Sequence, residues 1–531
     1  MSIKMNKLHS FFTKLLIFLA LATVLLSGCD APAIETSQEQ ILEEDEKLKE
    51  EALEKEKLDK ELMEAQQAKE TINTSADTIK PEGSCDLIII TPFEFAALLM
   101  PLKDHKNNTG IVTKIITLED IYSNYQGRDE AEKVKYCLAD YKKASNIKYA
   151  MLVGDSDKFP IRFTKTDRAT EAAYDTAFYG TDLYYADLFK PDGSFDDWDS
   201  NKNDFFGELA GESITGPLNV DKVDLTPDIA VGRTPVSTAD EVERYVRKII
   251  AYEQDNTKSS YMDNVLLIST QDPSLSELFC ANQNEVAAKL LKDKNITKLY
   301  DLDKEFFNSE WTQKYSKEEY EKIITGKVKE NAAIINDYLD KGIGFVSYMG
   351  HGNMDVWANI YTSEFVSSLN NLNRLTVIFT GGCGTAEFAT LPPYSAYTDI
   401  NGVYHQGTNN DEIFTQTPQQ PACIQQENNP DSMAEVFTVY YDVGAVGYFG
   451  FITGSQSGFN STLNYCFFEA IVNGHPALGD IWAYMVEKYY ETQNFPEMVS
   501  TPDWTLVAGF HQPWKLFLFG DPSLRINGVK K

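Results

Sequence analysis

The stretch Phe345–Trp357, FVSYMGHGNMDVW, is an apolar run that ends on His351 between two glycines. A second stretch, Leu375–Phe388, reads LTVIFTGGCGTAEF, and its apolar run ends on Cys383 in the same manner. Both runs have the length and the β-branched and aromatic content of buried strands. Each predicted strand therefore stops at glycine and presents a reactive side chain directly after it.

Apolar strand signals alternate with helical patterns along most of the chain. The strand signals are CDLIIITP (85–92), IVTKIIT (111–117), IKYAMLVGD (147–155), the start of DIAVGRTPVSTADEVERYVRKIIAYE (228–253), NVLLIST (264–270), GIGFVSYMG (342–350), LTVIFTGG (375–382) and GAVGYFGFI (444–452). Strands of this kind separated by helices are typical of a mainly parallel sheet that is covered on both faces. The sequence predicts an α/β fold with two adjacent open, mainly parallel sheets. A smaller α/β subdomain would cover residues 85–256, with a capped helix starting at Ser237 or Thr238, and a second subdomain would cover 257–531.

Residues 1–28 have the pattern of an export signal: a basic start, the apolar run LLIFLALATVLL and small residues before Cys29. The ending LSGC resembles the lipobox of bacterial lipoproteins, which implies lipidation of Cys29. An ordinary signal peptide with an incidental cysteine is the alternative. Acyl chains on Cys29 would anchor the protein to a membrane of the cell envelope, on the extracytoplasmic side, without spanning it.

Residues 29–84 are rich in Glu, Lys, Gln and Ala, with i,i+4 pairs such as Glu51 and Lys55, and predict a charged tether that is helical or disordered. The net charge of −32 argues against nucleic acid as a partner, because the phosphates would be repelled. The cysteines after Cys29 are scattered along a long chain, which does not favour a dense disulfide framework.

Sites in open α/β sheets form at the carboxyl ends of the strands, so we expect His351 and Cys383 to lie close together. A thiolate is a strong nucleophile and an imidazole can hold or deliver its proton, which suffices for acyl transfer. The flanking glycines, such as Gly352 and Gly384, let backbone N–H groups approach a developing oxyanion. The pattern therefore predicts a cysteine peptidase.

These residues also resemble the gingipain family of cysteine peptidases, which has a caspase-like fold. That family places its histidine in a Gly-His-Gly turn with a tryptophan six residues later, as Trp357 lies here, and a phenylalanine five residues after the cysteine, as Phe388 lies here. The resemblance continues through MLVGDSDKFPIR (151–162), PDIAVGRTPV (227–236), DSMAEVF (431–437), GAVGYFG (444–450) and FGDPSL (519–524). It covers nearly all of residues 85–527.

The resemblance implies a caspase-like catalytic subdomain, with His351 as general acid/base and Cys383 as nucleophile. The N–H groups of Gly352 and Cys383 would form the oxyanion hole. Catalysis would need no cofactor, and the substrates would be proteins or peptides. Asp272 would orient the histidine, although a helix cap or turn aspartate explains that residue equally well.

The resemblance has one informative gap. In gingipains an acidic residue in the specificity pocket recognises the arginine or lysine of the substrate. Its position falls near Cys280 and Ala281, where this chain has no carboxylate, and Glu277 is out of register. Cleavage after basic residues is therefore not expected to carry over.

The segment 389–430 is rich in Pro, Gln, Asn and Thr and begins six residues after Cys383. An insertion this long inside a compact domain is usually functional or disordered. A lid or autoinhibitory flap and a plain surface insertion are both consistent with it.

An acidic stretch, DGSFDDWDSNKNDFFGE (192–208), predicts a structural calcium site. Its hard oxygen ligands would be Asp197, Asp199, Asn201 and Glu208, or Asn203 in a register that begins at Asp199. Lys202 replaces the glycine expected in such a loop, so a solvated acidic turn is the alternative. The calcium that gingipain relatives bind favours the ion.

The sequence thus predicts a membrane-tethered, extracytoplasmic cysteine endopeptidase. A catalytically inactive adhesion or scaffold lipoprotein on a peptidase fold is the main alternative, and a transpeptidase or maturation protease with one partner is a third.

Overall fold

A sheet of ten strands organises the chain in the computed structural model, which describes residues 79, 81–165, 178–209, 216–255, 260–270, 279–300, 302, 317–392, 396–405, 417, 420, 431–499 and 504–528. In chain order the strands are β1 (Leu87–Thr91), β2 (Thr113–Thr117), β3 (Tyr149–Val153), β4 (Ala230–Thr234), β5 (Asn264–Ser269), β6 (Asn295–Leu299), β7 (Phe345–Met349), β8 (Thr376–Thr380), β9 (Ala445–Phe451) and β10 (Leu516–Gly520).

The order across the sheet is β2-β1-β3-β4-β10-β9-β8-β7-β5-β6. Neighbouring strands are parallel throughout, except that β10 is antiparallel to β9. Strands β1 to β4 and β10 therefore run in one direction, and β5 to β9 run in the other. As a result, the carboxyl ends of the two halves lie at opposite edges of the sheet.

The predicted α/β class with a large, mainly parallel sheet is confirmed, but the two predicted sheets are the two halves of one sheet. They are joined by β10, which pairs with β9 from Gly447↔Gly520 to Phe451↔Leu516 and with β4 at Phe519↔Arg233. The junction is tight, because a Cβ added to Gly232 would lie 2.3 Å from the Gly520 carbonyl oxygen. Only glycine fits at this position.

The described helices connect these strands. They are α1 (Phe93–Ala96), α2 (Met100–Asn108), α3 (Leu118–Asn124), α4 (Glu130–Ser145), α5 (Leu183–Ala186), α6 (Ala239–Gln254), α7 (Phe279–Ala288), α8 (Lys317–Lys341), α9 (Met433–Thr438), α10 (Ser457–Val472), α11 (Leu478–Gln493) and α12 (Trp504–Phe510). Two 3-10 turns cover Ser363–Ser368 and Gln512–Lys515. Short strands pair as Phe163–Lys165 with Phe178–Gly180, Gly216–Pro217 with Met498–Val499, Val356–Trp357 with Tyr361–Thr362, and Tyr397–Thr398 with Tyr404–His405.

Helix α6 shows how local sequence defines an element. Thr238 accepts a hydrogen bond from the Glu241 N–H, and the Glu241 side chain reaches back to the N–H of Thr238, which completes a capping box. This confirms the second of the two predicted cap positions. Val242, Val246 and Ile249 follow at helical spacing and are buried against the rest of the fold.

The central strands are buried along their whole length. Every residue of β1, β7 and β8 is buried, as both faces of a parallel sheet require. Each large aliphatic side chain in these strands contributes about 1.5–3 kcal/mol by leaving water. The strands that precede His351 and Cys383 are therefore rigid supports.

Residues 1–78 and 80 lie outside the described residues, and with them the predicted export signal, Cys29 and nearly all of the predicted tether. Among the described residues, no helix combines the length and apolarity needed to cross a bilayer. The predicted boundary at residue 256 lies between α6 and β5, at a position that is also outside the described residues.

Candidate active site

His351 and Cys383 follow adjacent parallel strands. Strands β7 and β8 pair with Tyr348 opposite Thr380, and the Gly381 N–H extends the ladder by donating to the Tyr348 carbonyl at 2.7 Å. His351 comes two residues after β7 ends, and Cys383 comes three residues after β8 ends. Both side chains therefore leave the same edge of the sheet, as predicted from the strand signals.

The two loops touch through their glycines. A Cβ on Gly352 would lie 3.0 Å from both the Cys383 carbonyl oxygen and the Gly382 Cα. Gly384 adopts φ +62°, a left-handed conformation that favours glycine. The loop that carries the histidine and the loop that carries the cysteine are thus in direct backbone contact, and a side chain at position 352 would separate them.

Aromatic residues pack against the loop that carries His351. The Tyr348 hydroxyl donates to the His351 carbonyl, and its ring stacks on Trp357 with centroids 4.9 Å apart and planes 11° apart. The fully buried Trp357 in turn donates its indole N–H to the Tyr448 hydroxyl at 3.2 Å. The tryptophan six residues after the histidine therefore stabilises the histidine loop by packing.

Exposure distinguishes Cys383 from the other described cysteines. Cys383 is partly exposed, whereas Cys85, Cys137, Cys280 and Cys466 are buried. Burial raises the pKa of the Cys137 thiol, and it raises the pKa of Cys466 to about 12. Because the thiolate is the nucleophile, those two buried thiols are inert at neutral pH. Within the described chain, Cys383 is the thiol that a substrate can reach.

Ser455 contacts the Cys383 sulfur and was not found from the sequence. Its N–H donates to Sγ at 3.3 Å, its Oγ lies 3.7 Å from Sγ, and the thiol can donate to the Ser455 carbonyl at 3.5 Å. Strand β9 lies beside β8 in the same direction, so the loop after β9 reaches the same edge. A search of the residues after every strand of that half of the sheet would have identified it.

Glu387 was also missed. It is half-buried, donates its N–H to the Gly384 carbonyl at 2.9 Å, and has Oε2 3.1 Å from the position of a Cβ on Gly384. Asn353, two residues after His351, has its side-chain oxygen 3.6 Å from the same position. Burial raises the pKa of Glu387 from 4.5 to about 7. A carboxyl that titrates near neutral pH thus lies where the two loops meet.

Asp272 and Glu277 lie outside the described residues, so the orienting role predicted for Asp272 stays a prediction. Strand β5 runs beside β7 with Ser269 opposite Met349, and Thr270 is buried against Gly350. Thr270, the last described residue before Asp272, therefore lies at the same sheet edge as His351. Cys280 and Ala281 are buried in α7.

The predicted calcium ligands are engaged by protein groups. The guanidinium of Arg128 pairs with Asp199 at 2.5 Å and lies 3.6 Å from Asp197. Glu208 accepts hydrogen bonds from the Asn201 and Asn203 side chains, each at 2.7 Å. The amide groups thus point N–H donors, and not oxygens, at the carboxylate.

This arrangement does not fit a calcium ion. Lys165 also pairs with Glu208, at 3.1 Å, so positive groups lie where the ion would be held. Among the described residues, no group of three or more His, Cys, Asp or Glu side chains is arranged to hold a metal. The contacts favour the acidic-turn interpretation, with Arg128 as the neutralising cation, and calcium binding stays a prediction without support from the geometry.

The described part of the 389–430 segment includes the hairpin Tyr397–Thr398 with Tyr404–His405. His405 pairs with Asp399 at 3.0 Å, and the hairpin exposes Ile400 and Tyr404. Further along the 389–430 segment, Gln420 accepts a hydrogen bond from the Ile161 N–H at 2.9 Å. These contacts do not distinguish a lid from a surface insertion.

The sheet and the edge that carries His351 and Cys383 define an α/β protein of the caspase-like type with a thiol and an imidazole at its candidate site. The sequence profile of peptidase family C25 matches residues 80–527, and the chain belongs to that family. The resemblance to gingipain-like cysteine peptidases is thereby confirmed.

Individual relatives are distant. An uncharacterized protein of Archaeoglobus fulgidus is 24% identical over 320 residues, which cover 57% of this chain and 66% of that protein. Gingipain R2 of Porphyromonas gingivalis is 22% identical over 316 residues, which cover 58% of this chain. The match spans only 33% of the length of gingipain R2, so its activity is not transferred as a whole.

The fold has a solved counterpart. The crystal structure of the Arg-specific cysteine proteinase gingipain R matches with a TM-score of 0.53 and 16% identity, covering 85% of this chain and 80% of that one. At this identity the likeness establishes the fold alone.

Proposed function

We propose that this protein is a membrane-tethered, extracytoplasmic cysteine endopeptidase that cleaves peptide bonds through an acyl-enzyme on Cys383. The observation that carries the proposal is the backbone contact between the loops of His351 and Cys383 at the carboxyl edge of β7 and β8. Membership of peptidase family C25 supports the same chemistry.

In the first half of the reaction, His351 accepts the Cys383 proton and Sγ attacks the carbonyl carbon of the peptide. The C–N bond then breaks, and the proton on His351 passes to the leaving amine. In the second half, His351 takes a proton from water, the hydroxide attacks the thioester, and the proton returns to the sulfur as the carboxylic acid leaves. The reaction is a hydrolysis that needs no cofactor.

The N–H groups of Gly352 and Cys383 are suited to the oxyanion. Neither N–H donates a hydrogen bond to another residue within the described part of the chain. Free donors that point at a developing negative charge are the main source of stabilisation in acyl transfer. Donors in this position would bind the tetrahedral intermediate more tightly than the substrate.

The activity can be tested on the full chain, purified with its N-terminal segment in detergent. A peptide library and an intact protein substrate are digested by the wild type and by Cys383→Ala, His351→Ala and Cys85→Ala. Cys85 is a buried cysteine in the opposite half of the sheet and serves as the control. We expect cleavage by the wild type and by Cys85→Ala, and at least a thousandfold loss in the other two.

Iodoacetamide labelling separates the peptidase from the inactive alternative. Rapid, site-specific modification of Cys383 in the folded protein, together with cleavage, supports the proposal. If Cys383 stays unmodified and no peptide is cut, the protein is an adhesion or scaffold lipoprotein on a peptidase fold. Cleavage of one cellular protein without cleavage in the library would indicate a maturation protease.

The tether has its own test. Lipidation of Cys29 predicts that labelled palmitate is incorporated into the wild type and that Cys29→Ala removes both the label and the membrane association. Retention of Cys29→Ala in the membrane fraction would contradict the lipid anchor without affecting the peptidase proposal.

A further inference from the structure

The Cys383 sulfur has two potential donors from one residue. Ser455 places its backbone N–H 3.3 Å and its hydroxyl oxygen 3.7 Å from Sγ. Ser455 is 7% exposed, so water competes weakly for these contacts. A negatively charged sulfur would therefore find a main-chain donor and a hydroxyl already in place.

The single Ser455 hydroxyl proton has two possible acceptors. The hydroxyl oxygen lies 3.2 Å from the Gly381 carbonyl and 3.7 Å from Sγ. While Cys383 is a thiol, its S–H can donate to the Ser455 carbonyl at 3.5 Å, and the hydroxyl is best directed at Gly381. When the thiol loses its proton, the sulfur becomes the stronger acceptor, and a rotation of the hydroxyl about Cβ–Oγ moves the donor to it.

Asn460 lowers the free-energy cost of that rotation. Its side-chain N–H groups donate to the Gly381 carbonyl at 2.8 Å and to the Ser455 oxygen at 2.9 Å. When the hydroxyl turns to the sulfur, the Gly381 carbonyl keeps its bond from Asn460. The rotation therefore does not leave this buried carbonyl unsatisfied. An unsatisfied buried acceptor would oppose the rotation.

The orientation of the Asn460 amide is itself held by a buried contact. Gln512 donates to the Asn460 side-chain oxygen at 2.6 Å, and its own oxygen accepts the Gln456 N–H at 3.1 Å. Asn460 and Gln512 are both fully buried. Since the amide oxygen of Asn460 is occupied by a donor, its nitrogen must face Gly381 and Ser455.

We propose that Ser455 is a further catalytic residue, which stabilises the Cys383 thiolate through its N–H and hydroxyl, with Asn460 as the positioning residue that replaces the hydroxyl at Gly381. The inference rests on the proposed function, because it assigns a role in generating the nucleophile. The proton that leaves the sulfur goes to His351, and the hydroxyl proton stays on Ser455 throughout.

The test measures the rate of iodoacetamide alkylation of Cys383 against pH in the full chain, with site-resolved mass spectrometry. Ser455→Ala and Ser455→Gly remove the hydroxyl, Ser455→Thr keeps it, and Ser461→Ala is the matched control in helix α10. One hydrogen bond to a charged group corresponds to about a tenfold change in the equilibrium. We expect both hydroxyl-free variants to react about tenfold more slowly below the midpoint of the profile, with the midpoint about one pH unit higher.

Ser455→Thr and Ser461→Ala should follow the wild-type profile. Superimposable profiles for the wild type and the hydroxyl-free variants would overturn the inference. The glycine variant adds no apolar atom beside the sulfur, so it carries the test if the alanine variant does not fold.

Alkylation requires no peptide cleavage, so the two proposals can fail separately. A shifted profile in a protein that cuts no peptide would retain the role of Ser455 toward the sulfur and refute the peptidase. Normal cleavage with an unshifted profile would support the peptidase and refute the role of Ser455.

Discussion

Glu387→Gln tests whether the junction of the two loops holds a neutral carboxyl. Glu387 is half-buried four residues after Cys383, and among the described residues burial is the one influence on its pKa, with no hydrogen bond or charge that offsets it. Burial without a donor disfavours the charged form, which raises its pKa from 4.5 to about 7. The glutamine is close in shape and cannot ionise.

The direction in which pH changes the stability follows from the number of protons that the folded and the unfolded chain bind. Between pH 4.5 and about 7 the folded chain holds the Glu387 proton more often than the unfolded chain does, so stability falls as the pH rises through this window and is level above it. At about 1.4 kcal/mol per pH unit, the upper bound of the loss is about 3 kcal/mol. Partial solvent access reduces it, and we expect about 1–3 kcal/mol.

Urea unfolding followed by tryptophan fluorescence provides the assay, at pH 4.5 and at pH 8. Glu387→Gln should be close to the wild type in stability at the lower pH and about 1–3 kcal/mol more stable at the higher pH. Glu364→Gln, at an exposed glutamate, is the control and should show the same difference from wild type at both values. A gap between Glu387→Gln and wild type that does not change with pH would refute the assignment of a buried neutral carboxyl.

Three further changes probe the supports around the site by urea unfolding or thermal denaturation. Trp357→Ala removes a fully buried indole and should cost about 3–5 kcal/mol; a loss below about 1 kcal/mol would contradict its role in stabilising the histidine loop. Gly232→Ala forces a Cβ against the Gly520 carbonyl and should cost about 1–3 kcal/mol, while an unchanged midpoint would mean that the strands separate freely. Arg128→Ala leaves the buried Asp199 without its cation and should cost about 2–3 kcal/mol. Millimolar calcium should leave the wild-type Tm unchanged, and a rise of several degrees would restore the metal-site prediction.

The strand-end placement of the two reactive residues could be predicted because its cause is local. Strands β7 and β8 are short apolar runs that end in glycine, and successive parallel strands of one sheet end at the same edge. The cap at Thr238 was readable for the same reason, since the residues that form it lie within one turn. These features depend on neighbours in the sequence.

The acidic stretch shows what sequence spacing alone does not reveal. The spacing of Asp197, Asp199 and Glu208 suits an ion, yet the cation at Asp199 comes from Arg128, 71 residues away in the sequence. Nothing in the spacing of the carboxylates indicates that a guanidinium will fold onto them. A liganding pattern defines which atoms are available, and the tertiary structure decides which partner reaches them.

The sequence by itself determined the α/β class, the strand ends that carry His351 and Cys383, and the glycines that let their loops touch, since each depends on short-range periodicity and backbone freedom. Only the tertiary structure decided that both halves share one sheet, because β10 comes from the end of the chain and pairs with strands from both halves. It also placed Ser455, 72 residues from Cys383, against the sulfur. Contacts between distant segments depend on the packing of the whole sheet, which no local pattern encodes.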